Sequence, residues 1–456
     1  MYPTSLAIGT GALSGALAHA LIFRKGEWDL YTIKILQGLL TVTGVLALSF
    51  KRLGATEDGS SYSLLESIIA SIYMPAISLH MSRDKNDHSR RRRAWDRAFS
   101  SKVPRALRDY EPRVVKYTSQ LLDRLEQTQD IPIDIAKWFK FYSFDTMGDL
   151  AFGKSFNMLT DGVKHPFMAL VESHMAMAGA FSQLIWMFPL FRAMPFLGQE
   201  DAIFQKWLEN QVRHQEQNKP DLPNIFSWLL EDYKSQLHPR EQDWLNLQAD
   251  MQLIAVAGSD TTSVTLTCLF YLLAANKGVC IRLQEEIDNL FSSFSQPNHS
   301  SFSKLTYLQA CIDETLRLFP PVPSGLQRMT PAEGLRVGDI FIPGDTIVTV
   351  PSYTLYRDER YFTSPDDFVP ERWTIKPEMV MDDSVFAPFS VGRYACVGKQ
   401  LGLMEVGYAS CMILHRFDIC FAGEENASKS AFLTGLRDHF TLDAPQLKFI
   451  LTARKE

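Results

Sequence analysis

The chain has 456 residues, 46% of them hydrophobic, which is enough for one large core or two smaller ones. Its formal net charge of -6 argues against a polyanionic partner such as nucleic acid. Six cysteines without a Cys-x-x-Cys pair argue against a disulfide framework and favour a reducing compartment. Four of the six lie in apolar stretches, where free cysteine packs as a small hydrophobic residue: Cys268, Cys280, Cys311 and Cys411.

Two apolar runs begin the chain, at residues 4–23 and 35–50, and each is followed directly by two basic residues. About 20 apolar residues span a bilayer, so the first run has the length of a membrane helix and the second is marginal. A cleaved signal peptide would carry a basic segment before the first run, which is missing here. We expect residues 1–52 to be a membrane anchor of one or two apolar helices. The basic pair after the second run predicts that the following domain is cytosolic. With two spans, Arg24 and Lys25 would then lie on the wrong side of the membrane, and one span with an interfacial helix resolves this conflict equally well.

A strongly basic stretch follows residues 53–82, which we interpret as a short linker and truncated N-terminal region. It contains His88 and, within a run of four arginines, Arg92. These two residues are four apart and would share one face of a helix, where they could hold a carboxylate. A solvated basic helix face is the commoner meaning of such a run.

Residues 105–215 predict several helices, because apolar residues recur every three to four positions. Two prolines and several aromatic residues interrupt the pattern between 181 and 196. An aromatic segment broken by proline suits a flexible wall over an apolar ligand, and it is equally common in a plain core.

A long buried helix is predicted from residue 250 to beyond 270, and it breaks local rules in its middle. Gly258 weakens a helix, and the Thr261 hydroxyl can bond back to the carbonyl four residues earlier. Burial of Asp260 is costly without partners. Such conflicts are expected at functional sites, where an acid and an alcohol could relay protons. A kinked helix with a satisfied polar cluster is the alternative.

The C-terminal third predicts short elements around two further motifs. A helix over 305–319 carries Glu-x-x-Arg and stops at a proline run, and strands and turns follow over 335–352. Residues 357–388 are irregular and contain Pro-Glu-Arg-Trp. The alternation of apolar residues over 416–452 predicts an antiparallel hairpin.

One cysteine lies in a turn between Phe389 and Gly398, just before a helical pattern that starts at Lys399. Glycine allows backbone conformations that other residues resist, so Gly392 and Gly398 permit a tight loop. A thiolate at Cys396 would be favoured by the dipole of the following helix. We interpret the loop as presenting one sulfur to a metal, with a buried structural cysteine as the alternative.

The order and spacing of these motifs are more specific than any one of them. Ala-Gly-x-Asp-Thr-Thr precedes Glu-x-x-Arg, then Pro-Glu-Arg-Trp, then Phe-x-x-Gly-x-x-x-Cys-x-Gly. Over residues 83–456 this order resembles the cytochrome P450 family of haem-thiolate monooxygenases. The sequence around the four arginines and the cysteine is similar to that of fungal microsomal enzymes of secondary metabolism, such as the tryprostatin hydroxylase type. The resemblance implies a mainly α fold with a small β portion.

The resemblance also implies roles on both sides of a haem b. Cys396 would be the axial thiolate of the iron, which favours O–O cleavage. Phe389 would pack near the sulfur, and Gly392 and Gly398 would shape the loop around it.

On the opposite side of the haem, the family's pattern implies that Asp260 and Thr261 deliver protons during oxygen activation. Ala257 and Gly258 would open the oxygen groove. His88 and Arg92 would hold one haem propionate, and Arg328 a second. Three further residues would form a buried, structural ion triad: Glu314, Arg317 and Arg372.

The sequence departs from the family pattern in two places. The family usually has an arginine or histidine two residues before the cysteine, where it reaches a propionate; here Tyr394 occupies that position and Arg393 precedes it. The stretch from Lys51 to Asp84 is too short for the hinge, first sheet and helices that the family normally has there. We therefore expect part of the substrate lid to be missing.

The resemblance implies a monooxygenase that inserts one oxygen atom into an apolar small molecule, by hydroxylation or epoxidation. Electrons would come from NADPH through a separate reductase, for which Lys399 and Arg393 are candidate docking charges. The enzyme would be held in the endoplasmic reticulum membrane. The alternatives are oxidative coupling, cyclisation or desaturation by the same haem, or a truncated, non-catalytic membrane protein.

Overall fold

The computed structural model describes residues 76–82, 84–100, 106–181, 198–218, 220, 222–294 and 297–454. The chain divides into two units, Met1–Ser71 and Ile72–Glu456, and all described residues belong to the second. The predicted anchor, most of the predicted linker and the proline-broken segment after residue 181 therefore lie outside the described residues.

Helices dominate the described chain, as the sequence predicts. In chain order they are α1 (Lys85–Ala98), α2 (Ala106–Glu126), α3 (Ile135–Phe152), α4 (Met158–Asp161), α5 (Pro166–Phe181), α6 (Gly198–Gln217), α7 (Ile225–Lys234), α8 (Glu241–Ala275), α9 (Lys277–Ser293), α10 (His299–Phe302), α11 (Thr306–Leu318), α12 (Ser352–Leu355), α13 (Lys399–Arg416) and α14 (Glu425–Gly435). The predicted long helix is α8 and the predicted helix over 305–319 is α11, so both predictions are confirmed.

Helix α8 forms the centre of the fold. Every residue from Thr262 to Ala274 is buried. The hydroxyls of Ser263, Thr265 and Thr267 donate to backbone carbonyls of the same helix, which satisfies these polar groups within the core. It packs on α3, where the rings of Phe139 and Phe270 lie 4.9 Å apart. By length and composition α8 could also span a membrane, and it is the single helix of the described ranges that could. Its burial against the other helices identifies it as a core helix.

Short strands make up the β portion, as expected. They are β1 (Ile133–Asp134), β2 (Arg328–Met329), β3 (Leu335–Val337), β4 (Ile340–Ile342), β5 (Ile347–Val348), β6 (Phe417–Phe421), β7 (Arg437–His439), β8 (Thr441–Asp443) and β9 (Lys448–Ala453). Strand β9 lies between β1 and β6 in a three-stranded sheet, and β2–β5, β3–β4 and β7–β8 form pairs.

The predicted hairpin at the C-terminal end is confirmed, with an addition. Strands β6 and β9 pair antiparallel, with Phe417 opposite Ala453 and Phe421 opposite Phe449. The connection between them contains the β7–β8 pair and the helix α14. This helix was not predicted from the sequence. Glu424 begins α14 by accepting hydrogen bonds from the backbone N–H of Asn426 and Ala427.

Candidate active site

The cysteine loop contains two residues in the left-handed region of the backbone. Gly392 has φ 71° and Ser390 has φ 57°. Glycine adopts this conformation freely, whereas serine is strained in it. The backbone N–H of Cys396 donates to the carbonyl of Phe389 at 2.8 Å, which closes the loop. Gly398 has φ -80°, a conformation open to any residue, so backbone freedom is not what glycine contributes there.

The sulfur of Cys396 lies in a concave environment with hydrogen-bond donors. The residue is exposed by its accessible surface, yet the surrounding protein desolvates the thiol and raises its pKa. The backbone N–H groups of Gly398 and Lys399 and the charge of Arg92 act in the opposite direction. Because these groups favour the thiolate and a bound metal would deprotonate the thiol, the site suits a single cysteine ligand.

Helix α1 brings His88 and Arg92 to the cysteine loop. The guanidinium of Arg92 donates to the carbonyls of Ala395 at 2.8 Å and Arg393 at 3.2 Å. His88 is buried, and both this burial and nearby arginines lower its pKa, so the ring is neutral near pH 7. The predicted pair therefore lies on one helix face, and Arg92 already binds the loop that carries the cysteine.

Tyr394, the departure from the family pattern, lies between two predicted propionate ligands. Its ring packs edge-on against His88 with centroids 4.7 Å apart, and the guanidinium carbon of Arg328 lies 5.7 Å from its centroid. Together with Arg92 these residues form a group with two guanidinium charges and two polar rings. Such a group fits the carboxylates of a haem. The sulfur of Cys396, which has backbone N–H donors around it, fits the haem iron.

The predicted polar step in α8 is present, with one change in the role of Gly258. The Thr261 hydroxyl donates to the carbonyl of Ala257 at 2.8 Å, as predicted. Ala257 is exposed although it lies within the central helix. A Cβ at Gly258 would lie 2.5 Å from the methyl carbon of Met147, so its small size serves the packing of α8 on α3. Ala257, rather than Gly258, is therefore the accessible position of this step.

The helix after the cysteine loop packs directly beside the polar step. A Cβ at Gly402, in the first turn of α13, would lie 3.7 Å from the hydroxyl of Thr262, the neighbour of Thr261. The loop also lies beside the end of α1, because a Cβ at Gly398 would lie 3.8 Å from the ring of Phe99, the residue after this helix. The structure thus brings the cysteine loop, α1 and α8 together around one site.

Asp260 is the predicted acid of this polar step, and its pKa is shifted. Burial raises its pKa to about 7, while the nearby charge of Lys140 acts to lower it. Glu172 and Asp443 raise it further. A carboxyl with a pKa near neutrality can both hold and release a proton, as general acid–base chemistry requires.

The predicted ion triad is confirmed and is fully buried. The Glu314 carboxylate accepts two hydrogen bonds from Arg317, each at 2.9 Å, and one from Arg372 at 2.9 Å. The three charged side chains are at most 1% exposed. Trp373 and the backbone N–H of Val369 also donate to Glu314, at 2.9 and 3.0 Å. The triad therefore ties α11 to the irregular segment that leads to the cysteine loop.

Two residues of the site were missed from the sequence. Trp373 follows Arg372 directly in Pro-Glu-Arg-Trp, so this motif offered a signal for it. Lys140 lies on α3 among aromatic residues and carries no local signal.

Comparisons with known proteins identify the family of the chain. A sequence model described as Cytochrome P450 matches residues 66–438. The chain is 54% identical over 384 residues to the cytochrome P450 monooxygenase FCK2 of Fusarium pseudograminearum (strain CS3096). The aligned region covers 84% of this chain and 69% of that protein. It is 42% identical over 398 residues to the cytochrome P450 monooxygenase orf5 of Eupenicillium brefeldianum, covering 87% and 79%.

A relative with a more specific name is the tryprostatin B 6-hydroxylase of Aspergillus fumigatus, which is 36% identical over 383 residues, covering 83% of this chain and 67% of that protein. Among solved structures, the haem domain of cytochrome P450DA superposes with a TM-score of 0.70 over 84% of this chain and 81% of the other, at 20% identity. That likeness confirms the fold, and the sequence model and the relatives show the family. The chain belongs to the cytochrome P450 family of monooxygenases and is an oxidoreductase.

Proposed function

We propose that this enzyme inserts one oxygen atom into an apolar small molecule of fungal secondary metabolism, by hydroxylation or epoxidation. The observation that carries the proposal is the arrangement of Cys396, in a loop rich in backbone donors, beside a helix that presents Asp260 and Thr261. The relatives support the pathway class, since one of them is named a tryprostatin B 6-hydroxylase.

The residues that would hold the haem are Cys396 for the iron and the group around Tyr394 for the carboxylates. When bound, thiolate-ligated haem supplies the oxidising chemistry that cleaves O–O bonds. Arg92 has two tasks: its charge attracts a carboxylate, and its hydrogen bonds to Ala395 and Arg393 fix the cysteine loop. His88 and Arg328 add a polar ring and a second cation on either side of Tyr394.

Replacing Arg92 by leucine is expected to weaken haem binding by roughly 10–100-fold, since hydrogen bonds from a charged group contribute about 1.5–3 kcal/mol each. The measurement is the haem content of purified protein and its rate of haem transfer to apomyoglobin. Arg90→Leu is the matched control, because Arg90 lies on the same helix and pairs with Asp87 at 3.0 Å. Equal haem loss from both variants would contradict the role given to Arg92.

Within the site, Asp260 and Thr261 would hold and transfer protons. The Thr261 hydroxyl is fixed by its bond to Ala257, and Asp260 can both hold and release a proton near pH 7 because burial raises its pKa to about 7. A hydroxyl and an acid at adjacent positions can pass a proton to a reacting oxygen and then recover it from water.

Replacing Thr261 by alanine tests this function. A comparison of metabolite profiles with and without the gene first identifies the substrate. Product formed per NADPH consumed is then expected to fall by roughly 10²-fold, the lower end of what positioned proton transfer contributes, with peroxide released instead. Thr261→Ser keeps the hydroxyl and should retain coupling. A Thr261→Ala enzyme that forms product without extra peroxide would count against the proton relay.

Members of the family generally take electrons from a redox partner and act on small molecules. For this chain, the partner would be an NADPH-dependent reductase in the endoplasmic reticulum membrane, with the catalytic domain in the cytosol. Lys399 and Arg393 are exposed beside the cysteine loop and could contact an acidic reductase face.

A further inference from the structure

The residues that lead into α1, Ile77–Ser82, lie against the first half of α8, and we call them the entry segment. Two of its backbone N–H groups donate to side chains of that helix. Ile77 donates to Asn246 at 2.9 Å, and Leu79 donates to Asp250 at 2.7 Å. The two acceptors are four residues apart and therefore lie on one face of α8. Side chains of the central helix thus hold the backbone of the entry segment.

The carboxylate of Asp250 also pairs with α1. A guanidinium nitrogen of Arg91 lies 2.8 Å from Oδ1 of Asp250, the same oxygen that accepts from Leu79, and the two charged side chains are each 7% exposed. Removing one partner of such a pair is costly, because the other charge is left buried. Asp250 therefore joins the entry segment, α1 and α8 at one point.

Two successive arginines hold α1 from different sides. Because an α-helix has 3.6 residues per turn, the side chains of Arg91 and Arg92 leave the helix about 100° apart. Arg91 faces Asp250 on α8, whereas Arg92 donates to two carbonyls of the cysteine loop. Loss of the contact with Asp250 would leave α1 free to turn or slide, and His88 and Arg92 would move with it.

We propose that Asp250 is a positioning residue, which fixes α1 through the entry segment and Arg91 and thereby determines how firmly α1 holds the haem. The first step, the fixing of the entry segment and α1, concerns the protein alone. The second step rests on the proposed function, in which His88 and Arg92 bind the haem carboxylates. Asp250 acts on the haem only through these two residues.

Amide hydrogen exchange of the full-length protein in detergent, read by mass spectrometry with residue-resolved fragmentation, tests the first step. In Asp250→Leu the Leu79 amide should exchange roughly 10–100-fold faster, because it loses a hydrogen bond to a charged acceptor. The Leu159 amide, which donates to the buried Asp145 at 2.8 Å, should be unchanged. If this variant does not fold, Arg91→Leu/Asp250→Leu leaves no unpaired charge and should show the same faster exchange. An unchanged Leu79 amide would overturn the proposal.

The rate of haem transfer to apomyoglobin tests the second step. Asp250→Leu should release haem several-fold faster than the wild type, and Asp250→Glu, which keeps the charge, should restore slow release. Asp145→Leu is the matched control, because it also removes a buried carboxylate that accepts backbone N–H groups, those of Met158 and Leu159.

The background of Arg92→Leu separates positioning from a general loss of stability. There Asp250→Leu should add little to the rate of haem release, because its effect passes through Arg92. Equal release from Asp250→Leu and Asp145→Leu, or a full additional increase in the Arg92→Leu background, would overturn the positioning role. A wild-type protein without the thiolate-type carbon monoxide difference spectrum would reject the proposed function, whereas the exchange of the Leu79 amide would still decide the first step.

Discussion

Replacing Glu314 by glutamine is expected to lower the free energy of unfolding by about 3–5 kcal/mol, the range found when one member of a buried charge group is removed. Glu314, Arg317 and Arg372 are essentially unexposed, and the one carboxylate serves both guanidinium groups. Its loss leaves two positive charges in the core without a counter-charge, where solvent cannot compensate them. Denaturant unfolding followed by far-ultraviolet circular dichroism measures the change.

The matched control is Glu209→Gln on α6. Glu209 forms an ion pair of 2.7 Å with Arg213, but the two side chains are 38% and 55% exposed. Exposed pairs of this kind contribute about 0.2–1 kcal/mol, so the control should unfold almost as the wild type does. A similar loss of stability in both variants would mean that burial does not cause the large contribution of the triad to the free energy of unfolding.

Replacing Cys396 by serine is expected to abolish the thiolate-type Soret band in the carbon monoxide difference spectrum. A serine hydroxyl is a far weaker acid than a thiol and does not supply the electron-rich sulfur that this band reports. The expected change is complete loss, because the band requires a cysteine thiolate on the iron and serine cannot supply one.

The control for this variant is Cys420→Ser. Cys420 is the other exposed cysteine of the described residues and lies on β6, in the sheet at the C-terminal end. It should keep the band of the wild type. If Cys396→Ser keeps the band as well, the assignment of the iron ligand is wrong.

Much of the fold follows from local patterns in the sequence. The long helix α8 could be predicted because it continues as a largely apolar run through Leu273, and its polar step stood out because glycine, aspartate and threonine conflict with a buried helix. The cysteine loop was recognisable from Gly392, whose positive φ explains why glycine occurs there. These features depend on residues that are close in the chain.

The parts that could not be predicted depend on contacts between distant segments. The charge of Lys140 acts on Asp260 only because α3 packs along α8, and nothing in the local sequence of α3 marks that lysine. The space beside Gly258 is filled by Met147 for the same reason. Tyr394 was recognised as a departure, but its packing between His88 and Arg328 depends on α1 and β2 meeting at the loop.

The order of strands in the three-stranded sheet has a consequence for synthesis of the chain. Strand β9 is the middle strand, with Phe449 opposite both Ile133 of β1 and Phe421 of β6. While the chain is being translated, β1 is therefore made long before β9, and β6 is also made before the strand that joins them. A message that ended before Lys448 would yield a protein with two unpaired strand edges, which are sites of aggregation.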